Sequence, residues 1–329
     1  MNWAIALLML TNMATASPFI VIAHRGASGY LPEHTLEAKA LAIAMGADFV
    51  EQDVVLTKDG VPIVTHEITL EEVTDIAQRF PGRARADGQF YALDFTLEEL
   101  RLLARHERTG KDGTVVYPKR FPLGASRFAI VTLAEEIEFV QGINKSAGRN
   151  IGLYTEVKSP AWHRQQGKDI TKIVLNVLAR YGYTKRTDNI YFQCFDAAEN
   201  KRVRRELKSD LKIIQLIGEN SWHESPTDYD AMILESGITE VASYADGIGP
   251  QIDQLLDWPK PGAPVRILDL ARFAIRHHLL MHPYTLRVDD LPKNAPSATA
   301  VLDGLINQAK VDGLFTDFTD VAVRYRDGR

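Results

Sequence analysis

The sequence predicts an α/β fold, a closed (β/α)8 barrel of the TIM type with a small subdomain inserted after the second strand. The chain has 329 residues, 45% hydrophobic and 25% charged, as in an ordinary soluble globular protein. About eight short apolar segments recur along it, and helical patterns lie between most of them. Strands that alternate with helices favour a parallel sheet, and about eight of them favour a closed barrel over an open sheet.

The strands are predicted from apolar runs bounded by turn signals. The first covers 19–23 and the second 47–57, after which Lys58-Asp59-Gly60 turns the chain into a hairpin strand over 61–65. Later runs cover 151–157, 190–195, 213–217, 247–249, 279–282 and 314–315. Thr35 is expected to cap a helix that reaches about Met45, and other helices are expected over 132–144, 169–181 and 197–207.

The stretch 67–131 has a less regular pattern. It contains a basic, Pro/Gly-rich patch over 80–85 and a capping box formed by Thr96 and Glu99. Because bare loops of this length are uncommon in compact domains, we interpret the stretch as an insertion, a small lobe that packs over one end of the main body.

The N-terminus predicts export. Residues 3–10 form an apolar run too short to span a bilayer, and Ala14-Thr15-Ala16 supplies a cleavage pattern. We therefore expect a signal peptide over 1–16 and one barrel domain over 17–329, with a buried N-terminal segment as the alternative. Cys194 is the only cysteine, so no internal disulfide can form, and a periplasmic or otherwise secreted location is expected. The net charge of -5 argues against a nucleic-acid binder.

Charged residues lie at the C-terminal ends of several predicted strands, where a barrel of this kind carries its active-site residues. Residues two apart on a strand share a face, so Glu51 with Asp53, and Glu156 with Lys158, are expected to point toward the same end of the barrel. The residues at these strand ends are His24, Arg25, Glu51, Asp53, His66, Glu156 and Lys158.

Three carboxylates in such a group point to a hard cation, Ca²⁺ or Mg²⁺, rather than zinc. His24 and His66 are then free for general acid and base catalysis, and Arg25 and Lys158 can face an anionic ligand. A salt-bridged or water-exposed group is the alternative for the acids taken alone. The P-loop, H-E-x-x-H and G-x-S-x-G patterns are absent from the sequence.

These residues stand in motifs that resemble the glycerophosphodiester phosphodiesterase family, and its periplasmic branch in particular. The likeness runs from about Phe19 to near the C-terminus. Its first motifs are His24-Arg25-Gly26, Pro32-Glu33-His34-Thr35, Glu51-x-Asp53, Thr57-Lys58-Asp59, His66 and Glu156-x-Lys158. The later ones are Gln193-Cys194-Phe195-Asp196, the run 245–250, His282-Pro283-Tyr284-Thr285 and the run 313–318. Two departures are Glu67, where many members have Asp, and Thr319, where Pro is common.

The resemblance implies a TIM barrel with an insertion after the second strand, and an enzyme that cleaves glycerophosphodiesters to an alcohol and sn-glycerol 3-phosphate. The implied route uses the glycerol 2-hydroxyl as internal nucleophile and passes through a cyclic phosphate. The implied roles are one divalent cation, Ca²⁺ ahead of Mg²⁺, on Glu51, Asp53 and Glu156; an acid/base pair, His24 and His66; and phosphate binding by Arg25 and Lys158. Which histidine is the acid stays open.

Other residues are weaker candidates for the substrate pocket. They are Phe195, Trp222, His282 and Tyr284, for which core or hydrogen-bonding roles are the alternatives; Asp317 is a candidate for orienting a neighbour. Two other functions stay open, a phosphodiesterase acting on lysophospholipid or sphingolipid head groups and a non-catalytic binding protein on the same barrel. The expected partner is a small-molecule glycerophosphodiester, without nucleic acid or stable membrane insertion; a homodimer is left open.

Overall fold

The computed structural model describes residues 19–328, so the predicted signal peptide lies outside the described residues. The strands are β1 (Ile20–Ala23), β2 (Phe49–Leu56), β3 (Pro62–Val64), β4 (Gly152–Val157), β5 (Ile190–Cys194), β6 (Lys212–Leu216), β7 (Gly247–Gly249), β8 (Leu256–Asp257), β9 (Arg266–Ile267), β10 (Leu280–Met281) and β11 (Gly313–Thr316). The helices are α1 (Leu36–Ala44), α2 (Ile76–Arg79), α3 (Leu97–Leu100), α4 (Leu133–Ala147), α5 (Pro160–Gln165), α6 (Ile170–Arg180), α7 (Ala197–Arg205), α8 (Tyr229–Met232), α9 (Glu235–Val241), α10 (Asp269–Arg276), α11 (Ala298–Asp303) and α12 (Thr319–Arg326).

Eight parallel strands form the wall, in the order β11-β1-β2-β4-β5-β6-β7-β10. Backbone hydrogen bonds from Asp312 to Met281 (3.0 Å) and from Phe315 to Pro283 (2.9 Å) join the two ends of this sheet. The predicted (β/α)8 barrel is therefore confirmed. Among the described residues, no helix combines the length and apolar character needed to cross a bilayer.

The caps that were read from the sequence form as expected. Thr35 accepts a hydrogen bond from the Ala38 amide, and Thr96 and Thr132 each form a complete capping box. Helix α4 runs past the predicted end at residue 144, because Gly148 ends it in the left-handed conformation at φ 62°. The short antiparallel pair β8 and β9 was not predicted, since two-residue strands leave almost no periodic signal.

Alternate side chains along the wall point into the barrel. The inward positions nearer the N-terminal ends of the strands form an apolar plug of Ile22, Phe49, Tyr154, Tyr191, Ile214 and Phe315. Two residues further along the same strands stand polar side chains: His24, Glu51, Glu156, Gln193 and Asp317. The strand register places this polar layer together, because Asp53 pairs with Glu156 and Glu156 with Gln193.

The stretch 67–131, which we call the insertion lobe, packs on the face of the β2–β3 hairpin that carries Val55 and Ile63. Its core consists of Val55 and Ile63 of the hairpin with Leu70, Ile76, Phe90, Ala92, Phe95, Leu100, Leu103 and Ile130. Arg105 of the lobe is fully buried and donates to the carbonyls of Glu33 (3.0 Å) and Val64 (2.9 Å). These bonds tie the lobe to the loop that follows β1 and to the end of β3.

Candidate active site

A cavity of about 460 Å³ opens at the C-terminal ends of the barrel strands. Ten of the eleven residues predicted to be catalytic, to bind metal or phosphate, or to line the pocket do line it: His24, Arg25, Glu51, Asp53, His66, Glu156, Lys158, Phe195, Trp222 and Tyr284. The eleventh, His282, does not. It is 1% exposed and its Nδ1 lies 2.8 Å from the Tyr154 hydroxyl, because its inward position directly after β10 packs against the plug, one layer below Tyr284.

The polar turn after β1 brings the first of these residues into place. Arg25 and Gly26 both have positive φ, 59° and 90°, so the chain reverses directly after His24. A Cβ on Gly26 would lie 2.8 Å from the Ala38 carbonyl carbon, so only glycine lets the turn pack against α1. The turn also directs the Arg25 backbone amide to Glu51 Oε2 at 2.8 Å.

Three buried carboxylates meet on the floor of the cavity. One oxygen from each of Glu51, Asp53 and Glu156 lies within 4.8 Å of the others. Burial and the nearby Asp53 raise the pKa of Glu51 to about 8, and burial raises that of Glu156 well above its ordinary range. Burial alone would also raise the pKa of Asp53, but His66, His34 and Lys158 hold it well below its ordinary range.

The same carboxylates fit a divalent cation. Asp53 Oδ1 is buried and has no hydrogen-bond partner among residues 19–328, which leaves one of its two oxygens free to accept. Three acidic side chains this close repel one another, and a dication would remove that repulsion. Since all the donors are oxygens, the set suits Ca²⁺ or Mg²⁺ better than a softer metal.

Neighbouring side chains orient these carboxylates. Gln193 Nε2 donates to Glu51 Oε1 at 3.1 Å, His34 Nε2 lies 2.8 Å from Asp53 Oδ2, and Lys158 Nζ lies 2.8 Å from Glu156 Oε1. The roles of Gln193 and His34 were missed from the sequence. Gln193 could have been predicted from the sequence, because it lies two positions before the pocket candidate Phe195 and therefore shares its face of β5.

Each of the two cavity histidines contacts a carboxylate through Nδ1. The distance is 2.6 Å from His24 to Asp317 Oδ1 and 2.5 Å from His66 to Glu67 Oε1. Because an ionised carboxylate only accepts, Nδ1 carries the ring proton in both neutral histidines. Nε2 then presents a lone pair, 3.9 Å from Glu51 Oε2 for His24 and 3.4 Å from Lys158 Nζ for His66.

Both histidines are neutral near pH 7. Burial and then the Arg25 charge lower the pKa of His24 to about 4. Burial, Arg25 and Lys158 also lower the pKa of His66. Either neutral imidazole can accept a proton at Nε2 and later return it, as general acid/base catalysis requires, and at His66 this lone pair already accepts from Lys158 Nζ at 3.4 Å.

Two cations stand over the carboxylates. Arg25 NH1 donates to Glu33 Oε2 at 3.0 Å, and its Nε lies 3.6 Å from Asp53 Oδ2. Lys158 Nζ lies 3.2 Å from Glu224 Oε1 and 5.3 Å from the centroid of the Phe195 ring. Both side chains are thereby held at the cavity, where they can contact an anionic group.

Aromatic side chains form one wall of the cavity. The Phe195 ring makes edge contacts with Trp222 (6.5 Å between centroids) and Tyr284 (6.0 Å). The Tyr284 hydroxyl already donates to the Ile217 carbonyl at 2.7 Å, so this residue offers the cavity its ring. Trp222 is 45% exposed and stands where a ligand can reach it.

Fold and site together define a (β/α)8-barrel hydrolase equipped to act on a phosphate ester. The profile of the glycerophosphoryl diester phosphodiesterase family matches residues 24–321. A glycerophosphodiester phosphodiesterase of Haemophilus influenzae is 43% identical, with 97% of this chain and 93% of the relative covered. One of Treponema pallidum is 39% identical, with 94% and 92% covered. The chain belongs to the glycerophosphoryl diester phosphodiesterase family, and it is an enzyme that hydrolyses glycerophosphodiesters.

Solved structures agree with this fold. A Silicibacter pomeroyi protein assigned to the same phosphodiesterase class superposes with a TM-score of 0.71 at 26% identity, covering 95% of both chains. An Oleispira antarctica phosphodiesterase, solved in complex with the product sn-glycerol-3-phosphate, superposes with a TM-score of 0.62 at 18% identity, covering 94% of this chain and 96% of that one. At this lower identity the likeness concerns the fold.

Proposed function

We propose that this enzyme releases an alcohol and sn-glycerol 3-phosphate from its substrates by metal-assisted acid/base catalysis. The observation that carries the proposal is the group of three buried carboxylates flanked by His24 and His66, whose Nε2 atoms face the same cavity. Glu51, Asp53 and Glu156 would hold one divalent cation, Ca²⁺ ahead of Mg²⁺. Bound there, the cation would neutralise the acids and draw negative charge from the phosphoryl oxygens.

In the first step the glycerol 2-hydroxyl attacks phosphorus. One histidine removes its proton, a bond forms between that oxygen and phosphorus, and the bond from phosphorus to the head-group oxygen breaks. The other histidine takes up a proton at Nε2 when the anionic substrate binds, and it gives that proton to the departing alcohol. The products of this step are the free alcohol and a cyclic glycerol phosphate, and the two histidines have exchanged protonation states.

In the second step water opens the cyclic phosphate. The histidine that gave its proton now removes one from water, and the other returns its proton to the glycerol 2-oxygen. The enzyme is restored, and the net reaction consumes one water. Arg25 and Lys158 would hold the phosphate through both steps, since each is a fixed cation at the cavity.

The test is glycerol 3-phosphate release from glycerophosphocholine by the purified enzyme with Ca²⁺, then with EDTA, then with Ca²⁺ restored. We expect EDTA to abolish turnover and Ca²⁺ to recover it. His24→Ala and His66→Ala should each reduce kcat by about 10²-fold or more. His278→Ala, at an exposed histidine after α10, is the matched control. Turnover that survives EDTA, or wild-type kcat in both cavity variants, would overturn the proposal.

We also propose a periplasmic location and a cleaved N-terminus, which would place the enzyme in the periplasmic branch of its family. Support comes from the apolar run over 3–10, the cleavage pattern at 14–16 and the single cysteine. Mass spectrometry of the protein from a periplasmic extract should give Ser17 as its first residue. An intact Met1 on the exported protein would contradict the cleavage, and recovery in the cytosol alone would contradict the location.

A further inference from the structure

We propose that Asp317 is a positioning residue that holds His24 in the Nδ1–H tautomer, so that the Nε2 lone pair faces the substrate. The inference rests on the proposed acid/base role of His24. Asp317 Oδ1 lies 2.6 Å from His24 Nδ1, and both side chains are buried. The barrel wall sets this contact, because β1 pairs with β11 in a register that matches Ala23 with Thr316, so His24 and Asp317 follow side by side.

Asp317 is held as an anion by two arginines on its other oxygen. Arg120 NH2 lies 2.8 Å from Oδ2, and Arg287 Nε donates to Oδ2 at 3.0 Å. Burial alone would favour the neutral acid, but Arg287, His24 and Arg120 hold the pKa of Asp317 well below its ordinary range. Oδ1 is thus left free to accept from His24, and the carboxylate cannot rotate without losing an arginine contact.

One of these arginines comes from the insertion lobe. Arg120 also makes a two-point ion pair with Asp289, Nε to Oδ2 at 2.9 Å and NH2 to Oδ1 at 3.0 Å, and its guanidinium lies 3.6 Å from the centroid of the Tyr117 ring. The lobe therefore reaches His24 through Arg120 and Asp317. The partner of the other cavity histidine, Glu67, is more exposed, at 39%, and Arg108 NH1 lies 3.7 Å from its Oε1.

The contacts of Arg120 and Arg287 determine how the amide of Asp317→Asn would be oriented. Arg120 and Arg287 present N–H groups to the Oδ2 position, so the amide oxygen must occupy it. The amide NH2 then faces His24 Nδ1 and donates to it. A ring nitrogen that accepts cannot carry the proton, so His24 changes to the Nε2–H tautomer and its lone pair no longer faces the cavity.

The experiment compares Asp317→Asn with Asp289→Asn in the full-length enzyme. Both remove one carboxylate from Arg120 by the same chemical change, but only the first touches His24. With glycerophosphocholine we expect Asp317→Asn to lower kcat by about 10²-fold with KM changed less than about threefold. Asp289→Asn should keep kcat within about twofold. Selective ¹⁵N-histidine NMR, with the His24 signals assigned from His24→Gln, should show Nδ1–H in the wild type and Nε2–H in Asp317→Asn.

The outcomes separate this inference from the proposed function. Loss of turnover in His24→Ala together with wild-type kcat in Asp317→Asn overturns the positioning role and leaves the function standing. Wild-type turnover in His24→Ala and His66→Ala overturns the function itself. If Asp317→Asn does not fold, the wild-type spectrum decides: Nδ1–H supports the positioning role, and Nε2–H overturns it.

Discussion

Arg108 of the insertion lobe and Glu33 of the loop after β1 form a two-point ion pair, Nε to Oε2 at 2.9 Å and NH2 to Oε1 at 2.8 Å. Glu33 in turn accepts from Arg25, and these two arginines outweigh burial and hold the pKa of Glu33 well below its ordinary range. The lobe thus supports Arg25 through Glu33 and His24 through Asp317.

Arg108→Met is expected to weaken both stability and catalysis. It leaves Glu33 buried with Arg25 as its remaining close cation, so we expect a loss of about 2 kcal/mol in the free energy of unfolding. Arg25 would be less well held, and kcat/KM should fall about tenfold. Urea unfolding and steady-state kinetics measure these changes. Arg101→Met removes an exposed ion pair with Glu135 and should cost under about 1 kcal/mol with kcat/KM unchanged. Equal values for the two variants would show that the Arg108 contact supports nothing.

Much of the site could be predicted because its residues follow local rules. Strand parity placed Glu51 with Asp53 and Glu156 with Lys158, and the barrel rule gathered them at one end. The alternation of side chains predicts which residues point inward but not how deep each one lies. His282 was therefore predicted to line the pocket with Tyr284, although it lies against the plug. Arg108 and Arg120 were missed because each contacts a residue at least 75 positions away, at distances that no periodic pattern encodes.

Calcium is expected to stabilise the enzyme through the three carboxylates. At about 100 times its Kd, a ligand that binds only the folded state adds about 2.7 kcal/mol, which thermal denaturation detects as a rise in Tm. Asp53→Asn should abolish that rise, because Asp53 Oδ1 is the free acceptor. Glu98→Gln, at an exposed acid on α3, should keep it. The metal assignment fails if calcium raises the Tm of Asp53→Asn as much as that of the wild type.

The acid and the base can be told apart by the leaving group. Choline must be protonated as it departs, whereas nitrophenolate leaves without a proton. We therefore expect one of the two variants, His24→Ala or His66→Ala, to regain most of its lost kcat on a nitrophenyl glycerophosphodiester. That histidine is the acid of the first step, and the variant of the base should lose activity equally on both substrates. If neither variant recovers, neither histidine protonates the leaving group.

His163 is expected to make the fold less stable in mild acid. Its buried ring accepts from the Leu56 amide through Nε2 (3.3 Å) and donates through Nδ1 to the Ser159 carbonyl (3.0 Å). Burial lowers its pKa from 6.5 to about 4. Between these values the unfolded chain binds a proton that the folded protein does not, so stability falls as the pH drops from 6.5 to 4. The loss from this group is about 3 kcal/mol. In urea unfolding, the free energy of unfolding of His163→Gln should fall by about 3 kcal/mol less than that of the wild type between pH 6.5 and 4. His278→Gln, at an exposed histidine, should lose as much as the wild type. Parallel curves for the wild type and His163→Gln would mean that His163 titrates alike in the folded and unfolded states.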